Sequence, residues 1–320
     1  METWTPTDAM RHVRLICDDL AELEQARVLV AVSGGVDSTT TAALLRRAGA
    51  RGIHLLLETG LLREDEAFTA ADALRRLGLA TDVWDCSAEF HEALEGTTRS
   101  SEQRDVFRNL YFDLLTRYML DHGIEVIAQG SQGHGSRTKR AHNDPTEQFA
   151  ARGFRIVEPV LGLDKSQVKA VASALRLPQQ CVMRRPFPGP GLLLRFGGAY
   201  ARNKVALIRA ATSLVDTFVD THSVDFFGAY QVFPYLCDGE LVNYVDGDGD
   251  AGHGSVLLIR AVREVRETTV AYVPFSVPEA LRDELVAHLM SVPGVARVCF
   301  DATPKYGFPD PVRGATIEYG

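Results

Sequence analysis

The chain has 320 residues, enough for a core domain and a smaller second one. Apolar residues make up 46% and charged residues 24%, ordinary globular values that exclude a disordered or fibrous chain. The net charge of −8 argues against a general nucleic-acid or anionic-membrane binder, and no run of about 18 apolar residues exists to span a bilayer.

Residues 8–24 carry Met10, Val13, Ile16, Leu20 and Leu23 at helical spacing, interrupted by Asp8, Arg11 and Arg14, so no secretory leader is visible and a cytoplasmic location is expected. Arg27 to Ser33 is a short apolar run ending in a glycine turn, which predicts a buried parallel strand. A helix from Thr39 to Arg47 and a strand from Gly52 to Glu58 follow. Next come a helix over Asp65–Leu77, a strand over Ala80–Trp84, a helix near 102–121 and a strand over Gly123–Gln129. Strands alternating with helices of this length predict a doubly wound parallel sheet, an α/β fold. After Pro186 the pattern changes. Phe187-Pro-Gly-Pro-Gly191 is stiff and turn-rich, and beyond it lie a helix at Val205–Val219 and strands at 229–236, 255–262 and 269–274. A helix at Pro278–Val292 and a strand at Arg297–Asp301 complete a smaller α+β domain. The expected division is therefore 1–185, a hinge at 186–200, and 201–320.

Ser33-Gly-Gly-Val-Asp-Ser38 lies between a predicted strand and a predicted helix. Gly34 and Gly35 permit a tight turn whose N–H groups, with that of Val36, can face an anion. The helix N-terminus adds positive potential, and Ser33, Ser38 and Thr39 add hydroxyls. Asp37 would repel a phosphate by itself, and a Mg²⁺ bridging carboxylate and pyrophosphate resolves that conflict. A capped strand–helix turn would explain a lone Gly-Gly pair; six matching residues in this context indicate a nucleotide loop. It is not a Walker loop, because no Gly-Lys-Ser/Thr is present.

With that loop, four further segments resemble the ATP-pyrophosphatase (PP-loop) superfamily and, within it, the synthetase portion of the GMP synthetase family. They are Glu58-Thr-Gly-Leu-Leu-Arg63, Ile127-Ala-Gln-Gly130, Glu158-Pro-Val-Leu-Gly-Leu-Asp-Lys165 and the long Arg184-Arg-Pro-Phe-Pro-Gly-Pro-Gly-Leu192. The closing Asp301-Ala-Thr-Pro-Lys305 and Ala315-Thr-Ile-Glu318 are similar to that family's C-terminal motif. The likeness spans about residues 25–320. No amidotransferase segment precedes it, which leads to the expectation of a synthetase subunit served by a separate glutaminase.

The resemblance implies an ATP-dependent ligase that adenylates a purine nucleotide of the XMP type, releases pyrophosphate, and lets ammonia displace AMP. It implies that Glu58, Gly60, Gln129 and Gly130 bind ATP with the loop, that Asp37 holds Mg²⁺, and that Lys165 neutralises phosphate charge. Lys139 and His142 would belong to a lid with catalytic contacts. Arg185, Lys305, Thr316, Ile317 and Glu318 would bind the acceptor, with the C-terminal domain forming a homodimer.

Departures gather on the acceptor side. Ser131–Arg137 lacks the family's carboxylate, Glu89 stands where the family has arginine, and Tyr306 to Gly314 is an insertion. They leave open a specialised relative that adenylates another nucleotide-like acceptor for nitrogen or sulfur insertion. Five scattered cysteines without CxxC spacing give no disulfide framework, zinc site or paired sulfur-transfer arrangement. Asp246-Gly-Asp-Gly-Asp250 lacks the Gly and Glu of an EF-hand and reads as a solvated loop, while His134, His142 and His253 have no metal-ligand spacing.

Overall fold

The computed structural model describes residues 4–130, 149–182, 187–245, 251–266 and 270–303. Five parallel strands form the first sheet: β1 (Arg27–Ala31), β2 (Arg51–Glu58), β3 (Thr81–Asp85), β4 (Val126–Ala128) and β5 (Arg155–Val157), in the order β3-β2-β1-β4-β5. β1 is central because Val28, Leu29 and Val30 are fully buried, as a strand covered on both faces requires. Chain order reverses between β1 and β4, so the carboxyl ends of those two strands flank the topological switch point.

The helices in chain order are α1 (Pro6–Asp19), α2 (Val36–Arg47), α3 (Glu66–Arg76), α4 (Ser87–Leu94), α5 (Ser100–Asp121), α6 (Lys165–Ala174) and the short α7 (Gln179–Val182); all belong with this sheet except α4 and α5, whose residues divide between the two units given below. α1 and α6 open with complete capping boxes, Thr5 with Asp8 and Asp164 with Gln167. α6 packs on α1 and α2, while α3 lies on β2 and β3. His54 of β2 is buried among these elements; its Nδ1 lies 2.9 Å from the Ala80 carbonyl, and burial holds its pKa below the ordinary 6.5.

The second sheet is built on the long hairpin of β6 (Gln231–Val245) and β7 (Ala251–Arg266). β7 also pairs antiparallel with β8 (Val270–Pro274) and parallel with β9 (Val295–Phe300). α8 (Arg202–Thr221) packs on β6 through Val205, Ile208, Val215 and Val219, and α9 (Glu279–Met290) packs beside β9. This part is α+β, as the sequence predicts. Arg260 of β7 and Asp301 form a buried ion pair at the end of β9.

Three elements differ from expectation. β5 has three residues, too few for a periodicity signal, and is held by its register with β4. α4 follows β3 at once, its Phe90 and Leu94 supplying only one buried turn of pattern. β6 runs nine residues beyond the predicted end at 236, because a register shift between Leu236 and Glu240 carries pairing past the polar Asp238-Gly239.

The chain clusters into two compact units. One comprises Met1–Gly60, Asp65–Ala88 and Asn109–Arg184; the other comprises Leu61–Glu64, Glu89–Arg108 and Arg185–Gly320. No helix among the described residues is long and apolar enough to cross a membrane.

Candidate active site

The carboxyl end of β1 runs into Ser33–Thr39, and the loop's form follows from its residues. Gly34 takes φ +70°, open to glycine at little cost, and Gly35 is the N-cap of α2. The N-cap of α2 is a glycine and makes no side-chain capping bond, in contrast to Thr5 of α1 and Asp164 of α6. The loop closes on itself instead: the Ser38 hydroxyl donates to the Gly35 carbonyl at 3.2 Å and accepts from the Ser33 amide at 3.2 Å. Ser33 Oγ lies 3.3 Å from Ser38 Oγ and 3.4 Å from the Gly35 amide. An uncapped helix start on a hydroxyl-lined turn is an anion-binding form.

Gln129 and Gly130 continue β4 beside this loop. The Gln129 amide donates to the Val157 carbonyl at 3.0 Å. Gly130 must be glycine: a Cβ there would lie 2.9 Å from both the Asp37 carbonyl carbon and the Ser38 amide nitrogen. At the end of β2, the Glu58 carboxylate accepts the Gly60 amide at 2.7 Å, and Gly60 has φ +70°. β2 is hydrogen-bonded directly to β1, so the ends of three adjacent strands carry the candidate ATP residues.

Lys165 is the first residue of α6, and its ammonium donates to the Asp37 carboxylate at 2.7 Å. The two side chains are 41% and 28% exposed, so the pair adds little to stability. Its effect is electrostatic: the cation offsets the one carboxylate in a loop otherwise shaped for phosphate. The Asp164 capping box fixes the start of α6 and with it the root of the lysine.

Among the described residues no group of three or more His, Cys, Asp or Glu could cage a metal ion. A single accessible carboxylate beside a phosphate-shaped loop does fit Mg²⁺, which keeps waters and takes phosphate oxygens as ligands. The structure thus brings together Ser33, Gly34, Gly35, Val36, Asp37, Ser38, Thr39, Gly130 and Lys165, with Glu58, Gly60 and Gln129 on neighbouring strand ends. Lys139, His142, Arg185, Lys305, Thr316, Ile317 and Glu318 lie outside the described residues, as do His134, Asp246–Asp250 and the insertion Tyr306–Gly314. His253 lies exposed on β7, and all five cysteines are free thiols.

Sequence reasoning missed a cluster in the second unit. Arg63 pairs with Asp216 at 3.3 Å and places its guanidinium carbon 4.2 Å from the centre of the Phe187 ring. Arg195, buried at 3% exposure, lies 3.7 Å over Phe233 and 5.9 Å from Phe187. The available signal was an arginine ending the apolar run Gly191-Leu-Leu-Leu-Arg195, next to the Phe-Pro-Gly-Pro segment.

No protein-family model matches the chain. It is 32% identical over 306 residues to one of the subunits of GMP synthase (glutamine-hydrolyzing) of Methanopyrus kandleri, covering 93% of this chain and 94% of that protein. It is 31% identical over 314 residues to GMP synthase (glutamine-hydrolyzing) of Aeropyrum pernix, covering 95% of this chain and 60% of that one. Among solved structures, NMN synthetase from Francisella tularensis aligns with a TM-score of 0.42 at 17% identity, over 57% of this chain and 76% of that chain.

Proposed function

The chain belongs to the GMP synthase family, and from that premise we propose that it is an ATP-dependent carbon–nitrogen ligase that converts XMP to GMP. The observation that carries the reading is the uncapped Ser33–Thr39 turn with Gly130 against its backbone and Lys165 on Asp37.

The chemistry has two steps. O2 of the xanthine ring attacks the α-phosphorus of ATP, forming an O–P bond as the bond to pyrophosphate breaks. Ammonia then adds at C2, loses its proton, and expels AMP. A ring oxygen is a poor leaving group and adenylate a good one, so the enzyme's task is positioning and neutralisation of phosphate charge. The amides of the loop and of the first turn of α2 receive the departing pyrophosphate. Ser33 adds a hydroxyl, the Ser38 hydroxyl braces the turn through the Gly35 carbonyl, Thr39 lies buried behind it, and Lys165 supplies positive charge. Glu58, Gly60, Gln129 and Gly130 line the remainder of the ATP site. Asp37 would hold Mg²⁺, which when bound neutralises phosphate charge.

Lys139 and His142 serve as lid contacts in this reading. Arg185, Lys305, Thr316, Ile317 and Glu318 bind the acceptor. The functional division is 1–185 for ATP chemistry, 186–200 as hinge, and 201–320 for acceptor binding and homodimer formation. Ammonia comes from a separate glutaminase, and the enzyme works in the cytoplasm. The test is pyrophosphate release from ATP with a panel of purine nucleotides and ammonium. Release that requires XMP, with GMP as product, supports the assignment; release only with another acceptor or a persulfide donor refutes it. Light scattering at micromolar concentration tests the dimer, and a fully active monomer would exclude it.

A further inference from the structure

We propose that the Asp37–Lys165 ion pair is an interlock that makes nucleotide binding conditional on a divalent cation: the site accepts ATP with Mg²⁺ and turns away the metal-free tetraanion. The inference rests on the reading that Ser33–Thr39 receives the phosphates of ATP. Every residue it uses belongs to the first unit. Asp37 stands in the first turn of α2, where the helix dipole favours an anion. Lys165 is the first residue of α6, where the same dipole disfavours a cation. Aspartate or glutamate is the ordinary choice at such a place, so helix stability does not account for the lysine. Its partner does, since Nζ donates to Asp37 Oδ2 at 2.7 Å. The amides of Ser166 and Gln167 are already taken by Asp164 Oδ1, at 2.8 and 2.9 Å, and the Gln167 side chain accepts the Asp164 amide at 2.9 Å. What α6 presents to the loop is therefore chiefly the ammonium rather than its backbone donors.

A carboxylate and a triphosphate compete for that ammonium. While Lys165 is engaged by Asp37, the pair offers no net charge to an incoming phosphate, and the carboxylate itself repels it. A carboxylate that holds a divalent cation no longer needs the lysine, whose side chain is 41% exposed and hangs on a flexible stem. The ammonium is then released to the phosphates. The pair is too exposed to contribute much to stability, and an uncharged pair would serve the fold equally well. Conditional recognition gives the two charges a use that folding does not.

The experiment uses the full chain without acceptor. Equilibrium dialysis measures the Kd of ATP in excess EDTA and in excess Mg²⁺ for the wild type, Asp37→Ala, Lys165→Met and the double variant. Circular dichroism melting checks that each is folded, and Asp37→Asn replaces Asp37→Ala if alanine disturbs the loop. The interlock predicts that the wild type binds ATP about tenfold tighter with Mg²⁺, and that Asp37→Ala binds metal-free ATP about tenfold tighter than the wild type does. It also predicts that removing the carboxylate gains at least about threefold less when Lys165 is already methionine, because released ammonium is the main source of the gain. Equal gains in the two backgrounds would overturn the proposal, since charges acting independently are additive. A wild type that binds ATP equally with and without Mg²⁺, or that binds neither form, would overturn it as well. A protein that shows the predicted coupling yet converts no XMP refutes the proposed function and leaves the interlock standing.

Discussion

Replacing Gly130 with alanine adds one methyl group at the tightest place in the candidate site. The new Cβ would stand 2.9 Å from the Asp37 carbonyl carbon and the Ser38 amide nitrogen, where ordinary contact begins at 3.4 Å. The atoms it meets are backbone, so no side chain can rotate away. Loop and strand end must separate by about half an ångström. Gly130 is not among the residues with positive φ, so crowding is the whole perturbation. Overpacking of this kind costs about 1–3 kcal/mol, which lowers the melting midpoint by several degrees in a unit of this size. The larger effect is functional, because the displaced atoms belong to the turn proposed to receive pyrophosphate. Misplacement on this scale reduces turnover by roughly tenfold to a hundredfold. Gly153→Ala is the control: its φ of +84° makes alanine strained, yet nothing lies within 4 Å of the added carbon. Pyrophosphate release and thermal melting of both variants should therefore separate, with Gly153→Ala losing stability alone. A Gly130→Ala enzyme with wild-type ATP KM and turnover would refute the close-approach argument.

Asp37→Asn should keep the fold, since the ion pair it breaks is partly exposed, and should abolish Mg²⁺-dependent pyrophosphate release; turnover at wild-type rate would contradict the assignment. Lys305→Ala should raise the acceptor KM tenfold to a hundredfold, from loss of about 1.5–3 kcal/mol of charge-assisted hydrogen bonding, and leave the ATP KM in place. If both KM values move together, the tail is not the acceptor's charge partner. His54 supplies a pH test: its folded pKa lies below the ordinary 6.5, so the unfolded chain takes the proton first as pH falls. Its neutral form therefore supports full stability above about pH 6.5, and that contribution declines below it. His91, shifted the same way by burial, retains its own share of the slope, so denaturant midpoints at pH 7.5 and 5.5 should draw closer in His54→Gln without coinciding. An unchanged gap would show that His54 is not a source of the slope.

Most of the first sheet was legible because its strands are continuous apolar runs closed by glycine turns, and Ser33–Thr39 announced itself by residue types at fixed spacing. The Asp37–Lys165 pair is different: 128 positions separate the partners, and only the packing of α6 against α2 brings them together. β5 was invisible because three residues carry no period, and α4 because one buried turn is not a stripe. The membership of Leu61, Phe90 and Phe107 was the hardest to read. Hydrophobic patterning says that each is buried but not which of two cores receives it. Arg195 went unread for the opposite reason, since a buried arginine is rare unless an aromatic face or an acid receives it.

The interleaving of the two units has a consequence for biosynthesis. Leu61–Glu64 and Glu89–Arg108 leave the ribosome early, yet their partners are encoded about a hundred residues later. Gln103 donates to the Gly198 carbonyl at 2.9 Å, the Tyr200 amide to that of Thr97 at 2.9 Å, and the Leu192 amide to that of Leu61. Until residues 187–200 emerge, those polar groups and the paired rings of Phe90 and Phe107 lack their final surroundings. At about 5–20 residues per second, the nascent chain passes through an interval of several seconds in which the sheet is nearly complete but two internal stretches wait exposed. A gene cut after residue 184 would make that interval permanent, and its product should collect in inclusion bodies or on chaperones.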